Sequence, residues 1–301
     1  MRHRITGAMS AGAAAVVAAA ISLIAIPTAG QAPAGQTPAA PAAARQAPAR
    51  PAPAGQAATT YKAPRSAFKD GKPDLNGIWQ ANNTANWDLQ DHAARQGPLI
   101  ELGAAFSIPA GLGVVEGGEI PYQPWAAAKK KENAANWLKL DPEVKCYMPG
   151  VPRAAYMPYP FQIVQTPTAI LIAYEFASAS RTIYMNSKDE SPADTWMGWS
   201  RGRWDGDTLV VDVTSFNDQT WFDRAGNFHS DALHVVERYT PASRDVLQYE
   251  ATIEDPKVFT RPWKISMPLY RRVEKNAQLL EYKCVEFVEE LMYGHLRKKT
   301  K

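Results

Sequence analysis

Asp194–Tyr239, DTWMGWSRGRWDGDTLVVDVTSFNDQTWFDRAGNFHSDALHVVERY, carries the clearest β signal of the chain. Within it, Trp199–Trp204 and Thr208–Phe216 are rich in β-branched and aromatic residues and flank Asp205-Gly206. Asp-Gly accepts the positive φ of a tight turn, so the run predicts a β-hairpin. Ala232–Tyr239, after a polar loop, predicts a further strand. The stretch holds four of the nine tryptophans and two of the five histidines, with carboxylates between them. Strands carrying Trp, His, Asp and Arg together point to a lined pocket rather than a plain core.

Outward from this hairpin the same signals recur. Phe161–Gln165 and Ala169–Phe176, separated by Thr166-Pro167-Thr168, predict a second hairpin. Arg181–Asn186, Leu247–Ile253, Trp263–Tyr270 and Leu279–Phe287 read as single strands, and Gly77-Ile78-Trp79 opens the first. Pro124–Leu140 is rich in Ala and Lys and is stopped by Asp141-Pro142, which predicts a helix. Val288, Leu291, Met292 and His295 fall at the spacing of a short C-terminal helix. Trp87–Gly118 has little periodicity and reads as loops. Short strands joined by turns define a mainly β fold, an antiparallel barrel or sandwich with one or two peripheral helices.

The ends carry a different composition. Arg2, His3 and Arg4 precede an apolar, Ala-rich run to Ile26, then Pro27-Thr28-Ala29-Gly30. This is the pattern of an export signal over residues 1–30, and an uncleaved membrane anchor is the competing reading. Residues 31–63 are dominated by Ala, Pro, Gly and Gln, a linker composition that cannot bury a core. Residues 64–301 then form a single β-rich domain. Residues 1–60 hold four Arg and no acid, so residues 61–301 carry 29 basic and 30 acidic side chains, net −1. A near-neutral domain without a basic stripe argues against nucleic acid as a partner. Export, to the periplasm or the medium, permits Cys146 and Cys284 to pair. The chain-entropy model gives so long a loop about 5 kcal/mol.

The densest titratable group is His229, Asp231, His234 and Glu237. On a strand His234, Val236 and Arg238 share one face, while Leu233, Val235 and Glu237 share the other. His234 is the candidate general base, oriented by Asp231 or Asp218. The spacing matches no metal motif, and no metal is expected. Glu175, among Ile172, Ala173 and Phe176, needs a cationic partner if buried, and Arg181 or Arg153 could supply it. In a catalytic reading the arginine stabilises developing negative charge. Trp199, Trp204, Trp221, Tyr174, Tyr159 and His229 are candidate ligand-lining residues. There is no nucleophile elbow, zinc-protease motif, phosphate loop or dinucleotide fingerprint, and no cofactor is expected.

LNGIWQ (75–80), DPEVKCYMPGVPRAAYMPYPFQIVQTP (141–167), ILIAYEF (170–176), the run 196–223, GNFHSDALHVVERY (226–239), EDPKVFTRPW (254–263) and LLEYKC (279–284) resemble a large family of exported bacterial proteins. The resemblance implies export but assigns no activity and no catalytic residue. Gly77-Ile78-Trp79 also resembles the opening of lipocalin-like barrels, in which the Trp plugs one end. That likeness implies a barrel with an apolar cavity. Two functions follow as expectations: a barrel that binds a small apolar or aromatic molecule, or a cofactor-independent lyase, isomerase or hydrolase using His234. They are separated by whether His234, Asp231, Arg181 and Glu175 share one cavity.

Overall fold

Nine strands close into a ring, and their order round it is their order in the chain. They are β1 (Gly77–Ala81), β2 (Phe161–Gln165), β3 (Ala169–Tyr174), β4 (Ser180–Met185), β5 (Trp199–Asp205), β6 (Thr208–Thr214), β7 (His234–Ser243), β8 (Val246–Glu254) and β9 (Trp263–Arg271). The computed structural model describes residues 61–97 and 100–286, with positions 288, 291 and 295 beyond them. Strands cannot alternate direction all round an odd ring, so one pair must be parallel. That pair is β4–β5, and the other eight pairings are antiparallel. The connection 186–198 carries the chain back along the barrel so that β5 can run beside β4.

The β5–β6 hairpin forms where the sequence predicts it, with Asp205 paired to Thr208. The two turn residues are Gly206 and Asp207, one step later than Asp205-Gly206, and Gly206 takes φ 59°. The predicted helix divides at Asn136 into α1 (Pro124–Ala135) and α2 (Trp137–Leu140). The tenth strand expected at Leu279–Phe287 is not formed: residues 279–285 have no ladder partner. β1 pairs with β9, so the closed ring offers no free edge to accept one. The C-terminal helix expected over Val288–His295 falls largely outside the described residues.

The two ends of the barrel differ. At the first end lie the tight turns β2–β3, β5–β6 and β7–β8, the entry to β1 and the exit of β9. At the second end lie the long connections between β1 and β2, β6 and β7, and β8 and β9. From β9 the chain returns to the second end. There the Leu280 amide donates to Glu175 at 2.8 Å, and Tyr282 packs on Tyr159 and Phe176. Cys284 is bonded to Cys146 with Cα atoms 5.6 Å apart, the pairing expected from the sequence.

Alternation sets the core. Val235, Glu237 and Tyr239 of β7, Leu247, Tyr249, Ala251 and Ile253 of β8, and Trp263, Ile265, Met267 and Leu269 of β9 all point inward and are buried. One charged pair spans this interior. Arg181 of β4 reaches Glu237 of β7 at 2.8 Å, and the Tyr239 and Tyr249 hydroxyls donate to the same carboxylate at 3.0 and 2.8 Å. Burial, then the Glu237 charge, pushes both phenols well above their usual range, so they stay protonated donors. Tyr174 is likewise pushed up to about 12, chiefly by burial.

A buried ion pair gains little over apolar residues, but removing one partner strands the other. Arg181→Met should therefore lower unfolding stability by about 3–5 kcal/mol in urea titrations. Arg181→Met combined with Glu237→Leu should recover part of the loss. A double variant no more stable than the single one would contradict this account.

Candidate functional site

The first end of the barrel holds a cleft of about 520 Å³. Its walls are the incoming segment at Tyr61, Pro64 and Asp74, the β7–β8 turn from Pro241 to Leu247, and the ends of β1 and β9. Trp79 closes the barrel beneath it, buried, with its indole N–H donating to the Leu75 carbonyl at 3.0 Å. The Arg271 guanidinium lies 4.2 Å from the centre of that indole ring. Arg271 Nη1 donates to the Asn76 carbonyl at 2.6 Å and Nε to the Arg244 carbonyl at 3.2 Å. Asp245 stands 3.6 Å from Arg271 Nε. Burial lowers the Arg271 pKa from its ordinary value, and the neighbouring Arg244 adds to this against Asp245 and Asp74.

Gly77 makes this stack possible. It sits at φ 143°, and a Cβ there would lie 2.1 Å from Arg271 Nη1. The absent side chain lets the guanidinium reach the Asn76 carbonyl and cover the indole at once. A second recess, about 370 Å³, runs along the outside of β9 between Asn83, Leu112, Val114 and Pro268. It has no titratable lining residue. Among the described residues no cluster of three or more His, Cys, Asp or Glu can hold a metal, and no helix is long and apolar enough to cross a membrane.

The residues expected to be catalytic are not brought together. His234 stands on the outer face of β7, half-exposed, with Nε2 3.0 Å from Asp212. Its carboxylate partner is thus Asp212, in place of Asp231 or Asp218. Burial raises the Asp212 pKa, but His234 and Arg201 outweigh it and hold the group below its usual value. Asp231 is exposed and paired with Lys257 at 2.6 Å. Arg181 lies on the opposite side of the barrel wall, paired with Glu237, and Glu175 accepts from the Leu280 amide instead of from an arginine. The strand period explains the separation: His234 and Glu237 are three apart and so face opposite ways.

The expected ligand-lining residues are dispersed too. Trp199 stacks on Tyr184 at 4.6 Å on the outside. Trp204 packs against the core, Tyr174 lies within it, and Trp221 pairs with Phe228 in the β6–β7 connection. Tyr159 packs on Phe176 and Tyr282 at the second end. His229 is buried: Nδ1 is 2.8 Å from the Ser230 carbonyl and Nε2 2.6 Å from Thr220 Oγ1. A carbonyl only accepts, so Nδ1 carries the proton and the Thr220 hydroxyl donates to Nε2. Burial lowers the His229 pKa, which keeps the ring neutral in this role.

The polar residues of the second end form a brace. Arg153 makes a bidentate pair with Asp141 at 2.8 Å for both bonds, and its Nε donates to Asn86. Arg224 lies over the Trp87 and Trp137 rings and pairs with Glu143 at 2.8 Å. Burial raises the Glu143 pKa, but Arg224 and Arg153 more than offset it. Asp223 accepts from the amides of Leu89, Ala225 and Asn227. Burial, and then Asp88, push its carboxyl up to about 7 against those donors. Sequence reasoning attached no role to Trp79 beyond a plug, and none to Arg271, Arg244 or Asp245. The available signal was the doublet Arg271-Arg272 closing an alternating strand. No protein-family model, curated protein or solved structure matches the chain.

Two outcomes are expected. A carboxyl raised on folding favours the native state at low pH, because the native chain holds a proton that the unfolded chain releases above about pH 4. Stability owed to Asp223 is therefore lost as pH rises from about 4 through about 7. Thermal melts of Asp223→Asn across that range should lack this part of the slope. At the other end, Gly77→Ala should displace Arg271 from Trp79 and shift the intrinsic tryptophan emission; an unchanged spectrum would refute the role given to Gly77.

Proposed function

We propose that the protein is an exported binding protein that holds a small apolar or aromatic molecule in the first-end cleft. The observation that carries this reading is the cleft itself: a concave site within the common volume range for small ligands, above the Arg271–Trp79 stack. Tyr61, Pro64, Pro241, Leu247 and Val273 supply apolar and aromatic surface, and a few polar groups can fix orientation. The disulfide supports an oxidising compartment, periplasmic or extracellular, and the N-terminal export pattern agrees with it. Membrane attachment belongs to this picture only if the segment 1–30 is retained. The middle of the barrel is a poorer place for a ligand, because Arg181 and Glu237 already bridge it.

Ser243 is exposed on the cleft rim, so Ser243→Trp fills the space without touching the core. N-phenyl-1-naphthylamine, a neutral aromatic probe, should bind the full-length protein saturably with increased fluorescence. Ser243→Trp should weaken that binding by about 10-fold or more, as loss of well-packed aromatic contact implies. Binding that ignores the substitution would remove the cleft as the site.

A further inference from the structure

We infer that the molecule held in the cleft is a small apolar acid whose anionic group, a carboxylate or sulfonate, is received by Arg244 and Arg271. This rests on the binding reading above and adds the charge of the ligand to it.

Most charges at the cleft are already answered within the fold. Asp74 accepts from the Asn76 amide at 3.0 Å and from its side-chain nitrogen at 2.6 Å. Asp245 faces Arg271 at 3.6 Å. Both carboxylates lining the cleft are therefore engaged. Arg271 is held by two carbonyls and a ring, and Asp245 and Asp74 only partly offset the burial of its positive charge. The guanidinium of Arg244 makes no ion pair and no hydrogen bond among the described residues; only its carbonyl is used, by Arg271. Arg244 and Arg271 also repel each other, which depresses the Arg271 pKa further. A half-buried cation and an unpaired cation facing one recess is an arrangement that an anion relieves.

The apolar body follows from the rest of the lining. Pro64, Pro241, Leu247 and Val273 offer no hydrogen-bond donors from their side chains, and the Tyr61 ring is the aromatic surface beside them. The charged group would sit at the Arg244 and Arg271 side and the body against these residues. A free small acid fits this better than a lipid surface. Arg271 is stacked on Trp79 inside the cleft, where a planar array of headgroups does not reach.

The test compares two probes with one body. 1-Anilinonaphthalene-8-sulfonate and N-phenyl-1-naphthylamine share the naphthylamine frame and differ by the sulfonate. Titrated into the full-length protein, the sulfonate should bind about 10-fold tighter or better, the scale of one charge-assisted hydrogen bond. Arg244→Gln, on an exposed turn, should lower that ratio several-fold, leaving the share held by Arg271. A wild-type preference for the neutral probe, or a ratio that Arg244→Gln leaves unchanged, overturns the inference. If the neutral probe still binds and Ser243→Trp still blocks it, the cleft reading survives that failure; if neither probe binds, both fall. Arg244-dependent cosedimentation with phosphatidylglycerol vesicles would assign the anion to a lipid surface and overturn the free acid.

Discussion

Nine strands hydrogen-bonded into a closed ring determine where the remaining segments of this chain can go. With β1 hydrogen-bonded to β9 there is no edge, so every strand has two neighbours and no further strand can join. With nine strands, one neighbouring pair must run parallel, and the chain must spend residues 186–198 returning along the barrel to make it. The same closure excludes the C-terminal segment from the sheet. That segment instead lies against the second end, where Tyr282 finds an aromatic pair and Cys284 finds Cys146. A disulfide there ties the last described stretch to the loop preceding β2, which no ladder hydrogen bond could do.

Much of this was legible from local pattern. The hairpins at Phe161–Tyr174 and Trp199–Thr214 follow from alternation and turn residues, and the disulfide joins the chain's two cysteines, as the sequence led one to expect. What alternation cannot show is which strands meet across the ring. Leu279–Phe287 has strand composition, and only the β1–β9 pairing, which is a long-range fact, denies it a partner. The same limit applies to the titratable residues. Sequence proximity grouped His229, Asp231, His234 and Glu237, yet the pleat and the loop scatter them. His229 is locked to Thr220, Asp231 faces Lys257 outside, His234 faces Asp212 outside, and Glu237 points into the barrel. The cleft was invisible for the complementary reason. Tyr61, Trp79, Arg244 and Arg271 come from four separate stretches of chain that only closure brings together.

The interior pair bears on where a ligand can go. Arg181 and Glu237 sit on strands three apart in the ring, and their contact draws the walls together with two tyrosine hydroxyls. Desolvating both charges costs about as much as their attraction returns, so the pair is better read as fixing one arrangement of the core than as adding stability. A barrel braced in this way through its middle leaves room for a ligand only at an end. The second end is occupied by the Arg153–Asp141 and Arg224–Glu143 pairs and the buried Asp223 amide cradle. The first end, ringed by tight turns, the entry to β1 and the exit of β9, is the one that holds the cleft.

The two arginines of that open end are not equivalent, and their difference sets how a ligand would be held. Arg271 is fixed before any ligand arrives: two carbonyls and the Trp79 face define its position. The rotamer entropy of an ordered arginine, of order 2 kcal/mol, is lost on folding and is not charged again to binding. Arg244 is exposed on the β7–β8 turn and would be ordered only on contact. An anion therefore meets a preorganised guanidinium and one that nothing among the described residues holds. The first contributes directional hydrogen bonds at little entropic cost. The second contributes mainly charge, which is screened over about 10 Å at moderate salt. Discrimination between charged and neutral ligands should accordingly draw on both arginines, with the Arg244 share more sensitive to ionic strength.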